Sequence, residues 1–428
     1  MKTTLDGWLQ YAETINPRSI EMGLSRTRDV AIRMGLLPWT IPSIIVAGTN
    51  GKGSVTAAAD SILRAAGYST GAGFSPHVHR FNERIRVNGE EADDALLVQA
   101  FEAVERSRPP TLLTYFEYAV LVSLWVWRET RMDCTVLEIG LGGRLDAFNI
   151  IDAEVAIVTS IGLDHQEMLG DTREAIGNEK AGVFRDRQRV ILGRDMPHSV
   201  IARARELACH TSVSGEDFLV DDREDALQMT VNHPPVWRLP SGLETAAACR
   251  LSPHNAGLAV VAAAALKPVE ADAVRIGLAR ADLPGRTESF DWQERNVVVD
   301  IAHNPDGARF LAKRLAGLGL HPEVAILGNL RDKDTAGIAK TLVDRIPCWI
   351  AVSTSGQRGQ EASVTAMGIQ SSGAAETLQM ATMTEALESA VQRSRKGGVI
   401  LVFGSFAAVG VAREVLLNAP AASGHSGQ

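Results

Sequence analysis

The sequence predicts an α/β protein in two parts: a P-loop-containing parallel-sheet domain, then a smaller doubly wound, Rossmann-like domain. Three observations carry that expectation. Apolar β-branched runs alternate with helical stretches along most of the chain, the pattern of a parallel sheet with crossover helices. One such run, Ile44-Ile-Val-Ala-Gly-Thr-Asn-Gly-Lys-Gly-Ser54, passes through glycines and a lysine straight into a helix. The third is length, since 428 residues is long for a single core.

The elements follow in order. A helix over 24–36 precedes the first strand, 42–48, and the glycine turn opens a helix over 54–66. That helix has an apolar stripe of Val55, Ala59, Ile62, Leu63 and Ala66, with Gly67 as its stop. Backbone N–H groups at its start can surround phosphate oxygens, Gly51 and Gly53 allow close approach, and Lys52 adds positive charge. The spacing departs from Walker A because Gly53 separates Lys52 from Ser54. Helices at 92–106 and 115–130 precede strands at 134–140, 154–160 and 189–193. The polar, turn-rich stretch 210–252 breaks the rhythm and suggests a small antiparallel extension. A helix at 254–267 leads to Leu283-Pro-Gly-Arg286, where a boundary separates 1–285 from 286–428. Strands at 296–302, 323–328, 349–352 and 398–403 and helices at 305–317 and 382–396 fill the second part, and the tail after about 420 reads as disordered.

Composition narrows the function classes. A hydrophobic share of 45% with 22% charged residues is that of an ordinary globular protein. A net charge of −8 argues against broad nucleic-acid or anionic-membrane binding. The N-terminus has no apolar signal core and no run reaches spanning length, so a cytoplasmic protein is expected. Cys134, Cys209, Cys249 and Cys348 form no CxxC pair and read as ordinary small residues rather than metal or disulfide partners.

Several motifs can carry chemistry. Leu137-Glu-Ile-Gly-Leu-Gly-Gly-Arg-Leu-Asp146 puts Glu138 at a strand's carboxyl end, where open α/β sheets bind ligands. A cation would offset the cost of burying that acid; a carboxylate facing solvent or an arginine is the plainer alternative. Val158-Thr-Ser-Ile-Gly-Leu-Asp-His165 offers His165 to a divalent ion, with Asp164 a rival and a hydrogen-bonded surface histidine the plainer alternative. Ser75, in Phe74-Ser-Pro-His77, is either a hydroxyl for magnesium or a turn residue. Asp300-Ile-Ala-His-Asn-Pro-Asp306 reads as a ligand contact or as Asn304 capping a helix that starts at Pro305.

Taken together, these segments closely resemble the folylpolyglutamate synthase and dihydrofolate synthase family of the Mur ligase superfamily. Gly48–Ser54, Ser75–His77, Thr114–Tyr118, Glu138–Asp146, Thr159–His165, Glu179-Lys-Ala-Gly182, Pro284–Arg286, Asp300–Pro305 and Gly404-Ser-Phe406 run in family order. The resemblance implies an ATPase-type first domain, a glutamate-ligase second domain, and an ATP-dependent amide ligase working through an acyl phosphate. It would add L-glutamate to dihydropteroate and γ-linked glutamates to reduced folates. A polyglutamylating enzyme alone is the near alternative; a cell-wall ligase acting on a UDP-sugar and a non-catalytic folate sensor are more distant ones.

The resemblance also implies site residues. Lys52, His165 and Lys180 fall at the chemistry, Lys180 as a carbamylated lysine; read by itself, Glu179-Lys180 is a solvated charged pair on a helix. Thr49, Asn50, Gly51, Lys52, Gly53, Ser54, Asn255, Arg286 and Asp300 would contact ATP clamped between domains, although Asn255 also reads as a helix cap. Ser75, Glu138 and His165 would hold two Mg2+ ions. Glu21, Met22, Gly23, Leu24, Phe116, Arg144 and Asp146 would meet the pteroate or folate, with Phe116 otherwise a core aromatic. Phe74 and Phe148 stand where the family pattern has serine and threonine, which bears on substrate fit. The family's habit implies a monomer.

Overall fold

The computed structural model describes residues 3–16, 21–221, 226–232, 239, 247–248, 251–356 and 358–418. Cys249 and the tail expected to be disordered lie outside them. The chain forms two compact units, Met1–His77 with Phe81–Leu283, and Val78–Arg80 with Pro284–Gln428. Among the described residues, no helix is long and apolar enough to cross a membrane.

The first unit is built on eight strands: β1 (Ser43–Ala47), β2 (Thr70–Gly73), β3 (Ile85–Val87), β4 (Glu90–Glu91), β5 (Cys134–Glu138), β6 (Val155–Val158), β7 (Arg189–Leu192) and β8 (His210–Val213). They lie in the order β4-β3-β2-β5-β1-β6-β7-β8, with β2 through β8 across the middle all parallel and β3–β4 an antiparallel edge. Side chains alternate between two cores, as a two-residue period requires. Ile45, Ala47, Leu137, Ala156 and Val158 pack on the Asp94–Ser107 and Tyr115–Glu129 helices. Ile44, Val46, Val136, Val155 and Ile157 pack on the Lys52–Ala65 and Pro253–Leu266 helices.

Register then sets the site. Val46 pairs with Glu138 on one side and Ile157 on the other, so β1, β5 and β6 release their next residues at one carboxyl edge. Because the chain lays β2 and β5 on one side of β1 and then crosses to β6 on the other, this edge is the switch point where such sheets bind ligands. The sequence concealed β2: Thr70-Gly-Ala-Gly73 has almost no side chain to read. The structure supplies the reason. Buried Trp127 occupies the space a Cβ would need at Gly71, and its ring is 2.9 Å from where one would stand at Gly73.

Within 210–252 the expected antiparallel piece is present as β9 (Phe218–Asp221), β10 (Ala226–Val231) and β11 (Ala247–Ala248), while β8 joins the main sheet in parallel.

The second unit has six strands, β12 (Glu288–Trp292), β13 (Arg295–Asp300), β14 (Pro322–Leu327), β15 (Cys348–Val352), β16 (Glu376–Met380) and β17 (Val399–Phe403), in the order β12-β13-β17-β14-β15-β16. Only β12 is antiparallel. Val297, Val299, Ile326, Ile350 and Val402 face the Met383–Arg393 and Phe406–Asn418 helices. Val298, Leu327, Trp349, Leu401 and Phe403 face the Pro305–Gly317 and Ala362–Ser371 helices. Helices on both faces make this unit doubly wound.

Candidate active site

The phosphate loop begins where β1 ends. Gly48 takes φ +149°, and the Thr159 hydroxyl fills the place of its missing Cβ. Gly51, at φ +87°, ends the loop in the left-handed region, so the helix starts at Lys52, two residues before the expected position. A Cβ on Gly51 would stand 2.7 Å from the Asn255 amide oxygen. The helix from Pro253 has no side-chain cap, so Asn255 packs on the phosphate loop rather than serving as a cap.

The loop is tied to the chain leaving β6. Thr49 N donates to Ser160 O at 2.8 Å and Asn50 N to Ser160 Oγ at 3.1 Å. Thr159 Oγ1 donates to Asn50 O at 2.6 Å. The Thr49 hydroxyl donates to Gly162 O at 3.2 Å and accepts from Gly162 N at 3.0 Å. Lys52 Nζ donates to Gly48 O at 3.1 Å and Thr49 O at 3.3 Å, and Ser54 is buried in the first helical turn.

Across the edge, Glu138 ends β5 buried, at 6% exposure, not facing solvent. Its Oε2 accepts from Ser75 N at 3.1 Å and would be 3.3 Å from a Cβ on Gly53. Among the described residues, the buried Ser75 hydroxyl has no hydrogen-bond partner. An orphaned oxygen next to a buried carboxylate, at the start of a phosphate loop, fits a divalent ion. Among the described residues no three or more His, Cys, Asp or Glu side chains form a metal cage. One carboxylate and one hydroxyl, Glu138 and Ser75, are a donor set Mg2+ takes when phosphate and water complete its octahedron.

His165 has the left-handed φ of +52° and opens the short Gln166–Leu169 helix. Its backbone N donates to Asp164 Oδ1 at 2.9 Å, and its Nε2 lies 4.0 Å from the same oxygen. The two rivals of the sequence are therefore neighbours at one point.

Lys180 corrects the solvated-face reading. It is 5% exposed and its Nζ donates to Gly48 O at 2.8 Å. Burial, and then the charge of Lys52, bring its pKa down to about 7, against the pull of Asp164 and Asp146. The signal for burial was present: Ile176 and Lys180 are four residues apart on one helix face.

The residues implied for the pteroate meet around the glycine-rich loop. Gly23 N donates to Leu145 O at 3.4 Å, and the Met22 methyl would be 3.5 Å from a Cβ on Gly142. Glu21 pairs with Arg26 at 3.0 Å, next to half-buried Leu24. The Phe116 ring would meet a Cβ on Gly140 at 2.6 Å. Arg144 lies outward on Glu179 at 2.7 Å. Asp146 is buried and accepts from the N–H groups of Gly140, Leu141 and Phe148, each at 3.0 Å. Burial raises its pKa to about 6, with those three bonds and Lys52 opposing. The two departures are core residues. Phe148 stacks on Trp127 at 6.2 Å and meets Phe116 edge-on at 6.1 Å, while Phe74 lies under the Arg86 guanidinium.

In the second unit, Arg286 lies over the Phe406 ring at 5.8 Å, and His303 lies 6.3 Å from the same ring. Buried Asp300 accepts from Thr287 N and Ala302 N at 2.9 Å each; burial raises its pKa, and Arg286 opposes the shift. Asn304 is a cap, accepting from Gly307 N at 2.8 Å. The sequence reading passed over Arg84, which lies close enough to Glu138 to feel its charge. Its one signal is position, seven residues after His77 in the same short connection.

Comparison with known proteins places this geometry in context. The Mur ligase middle domain matches residues 46–233 and the Mur ligase glutamate ligase domain matches 285–406. The chain is 37% identical to the dihydrofolate synthase/folylpolyglutamate synthase of Escherichia coli K12, covering 96% of this chain and 95% of that one. It superposes on E. coli FolC in complex with DHPP and ADP with a TM-score of 0.86 and 35% identity, covering 96% and 97% of the two chains. The bifunctional Yersinia pestis enzyme complexed with AMPPNP and Mn gives a TM-score of 0.86 at 34% identity, covering 97% and 98%.

Proposed function

The chain belongs to the dihydrofolate synthase/folylpolyglutamate synthase family, and from that premise we propose the reaction its residues perform. It is an ATP-dependent ligase that adds L-glutamate to dihydropteroate and γ-linked glutamates to reduced folates. The substrate carboxylate attacks the γ-phosphorus of ATP, giving an acyl phosphate and ADP. The glutamate amine then attacks the acyl carbon: a C–N bond forms, the C–O bond to phosphate breaks, and phosphate and a proton leave.

The observation that carries this reading is the meeting of three features at one sheet edge: the Thr49–Ser54 loop, buried Glu138, and the partnerless Ser75 hydroxyl. Loop N–H groups and Lys52 would hold the phosphates. A divalent metal, when bound, supplies Lewis-acid neutralisation of phosphate charge. Ser75 and Glu138 would hold one Mg2+ and His165, steadied by Asp164, a second. Lys180 is proposed to react as its neutral amine with CO2, losing a proton to become a carbamate whose oxygens face the second ion. Its burial supports this, because a protonated lysine cannot attack CO2.

Asn255 in the first unit, and Arg286 and Asp300 in the second, are proposed nucleotide contacts. Glu21–Leu24, Phe116 and Arg144 are proposed to border the pteroate, with Asp146 holding the loop they share. The protein is proposed to act as a monomer in the cytoplasm.

The test is inorganic phosphate release with ATP, Mg2+ and L-glutamate, comparing dihydropteroate with tetrahydrofolate. Stimulation by both is expected. Stimulation by tetrahydrofolate alone narrows the enzyme to polyglutamylation, and silence with both removes the reading.

A further inference from the structure

Arg84 ends the turn Phe81–Arg84, just before β3. Three contacts fix it. Its Nε donates to His77 Nδ1 at 2.7 Å, its guanidinium lies over the Tyr115 ring at 5.5 Å, and its carbonyl accepts from Phe74 N at 2.9 Å. Among the described residues no carboxylate makes an ion pair with it, and its two Nη groups have no hydrogen-bond acceptor. Glu138 and Glu83 act on it only through their charge at longer range, while burial pulls its pKa below the usual arginine value.

Arg84 is half-buried, so its open fork stays within reach of solvent and of a ligand. A guanidinium held in place on one side with its outer N–H groups unpaired is a ready partner for a carboxylate. Histidine and tyrosine satisfy one N–H and one face of the guanidinium and leave the planar fork open. An open fork on a fixed guanidinium matches the two oxygens of a carboxylate. Its surroundings narrow the location. Glu138 belongs to the proposed metal pair, and Tyr115 opens the helix whose next residue, Phe116, covers Gly140 of the glycine-rich loop.

We propose that Arg84 clamps a reactant carboxylate in its open fork, between the Ser75–Glu138 pair and the Phe116 platform. The inference rests on the ligase reading, in which two reactants bring carboxylates. One is the pteroate-side group that becomes the acyl phosphate, and the other belongs to L-glutamate.

The test uses the full chain with Arg84→Gln and Arg84→Lys. KM values for tetrahydrofolate and L-glutamate, kcat and melting temperature are measured. Acyl phosphate formed without glutamate is trapped with hydroxylamine as the hydroxamate. Arg84→Gln is expected to raise one KM at least tenfold, with Arg84→Lys intermediate and both melting temperatures unchanged. Loss of hydroxamate with a raised tetrahydrofolate KM assigns the pteroate-side carboxylate; intact hydroxamate with a raised glutamate KM assigns the amino acid. Both KM values within twofold of the parent in both variants would overturn the clamp. So would a loss in Arg84→Gln that follows a lower melting temperature while Arg84→Lys keeps the parent's constants. Failure of the ligase reading looks different, because the unsubstituted protein would then release no phosphate and form no hydroxamate.

Discussion

Lys52 and Lys180 donate to the same acceptor: both Nζ groups reach the carbonyl oxygen of Gly48, at 3.1 and 2.8 Å. Two ammonium groups sharing one oxygen repel each other, and the more buried one yields its proton more easily, which holds Lys180 near pH 7. Lys180 therefore makes the stability of the protein depend on pH. Between about pH 7 and 10.5 the unfolded chain binds a proton that folded Lys180 does not, so this contribution rises with pH across that window. In CO2-depleted buffer, denaturant titrations of the parent and Lys180→Met should converge toward pH 10, separate as the pH falls to 7 and stay apart below it, with the parent relatively weaker by on the order of a few kcal/mol. Equal curves at both ends would contradict the buried amine.

The same lysine gives a chemical prediction. If its carbamate is needed, activity falls in CO2-depleted buffer and returns with bicarbonate, while Lys180→Met stays inactive under both conditions. An unchanged rate after thorough depletion argues against carbamylation.

Lys52→Ala should remove phosphate release with either pteroate substrate, by roughly a hundredfold or more, since phosphate charge loses its cation. The fold should survive, because Gly48 O keeps Lys180 as a donor and half-buried Lys52 otherwise gives up only its bond to Thr49 O. Retained turnover in a folded variant would count against the phosphate-loop assignment.

Ser75→Ala separates a metal ligand from a structural hydroxyl. The hydroxyl has no partner to lose, so stability should hold or increase slightly. The Mg2+ or Mn2+ concentration for half-maximal activity should rise several-fold, and Mn2+ binding followed by electron paramagnetic resonance should weaken in parallel. A destabilised variant with unchanged metal dependence would refute the assignment.

Thr49→Val tests the tie between the phosphate loop and the chain bearing His165. It removes both bonds to Gly162, at a cost of about 1–3 kcal/mol. Amide exchange over 160–170 should accelerate, with Thr49→Ser restoring protection. Unchanged exchange would mean that the hydroxyl does not hold that loop.

What could be read from the sequence followed from where side chains carry information. β1 and the phosphate loop stood out because Ile44, Ile45 and Val46 form a β-branched run that ends in glycines. β2 was hidden because Trp127, far along the chain, replaces its side chains. Edge strand β16 was hidden because Glu376, Thr377 and Gln379 give it no apolar run. Glu138, Ser75 and the loop glycines were legible as motifs. Arg84 was not, since its significance lies in the acceptor it lacks, and the burial of Lys180 is signalled only by Ile176 one turn earlier on the same helix face.

The position of β17 has a consequence for synthesis. It is the last strand of its sheet in chain order, yet it lies between β13 and β14 and pairs with both. As the ribosome delivers the chain, β13 and β14 each wait with an open edge for the strand that joins them. Until Val399–Phe403 emerges, the nascent second unit is two half-sheets with exposed hydrogen-bonding rims, a stage at which chaperone cover matters most. A ribosome-stalled chain ending before residue 399 should bind trigger-type chaperones and resist compaction, and extension past 403 should release it.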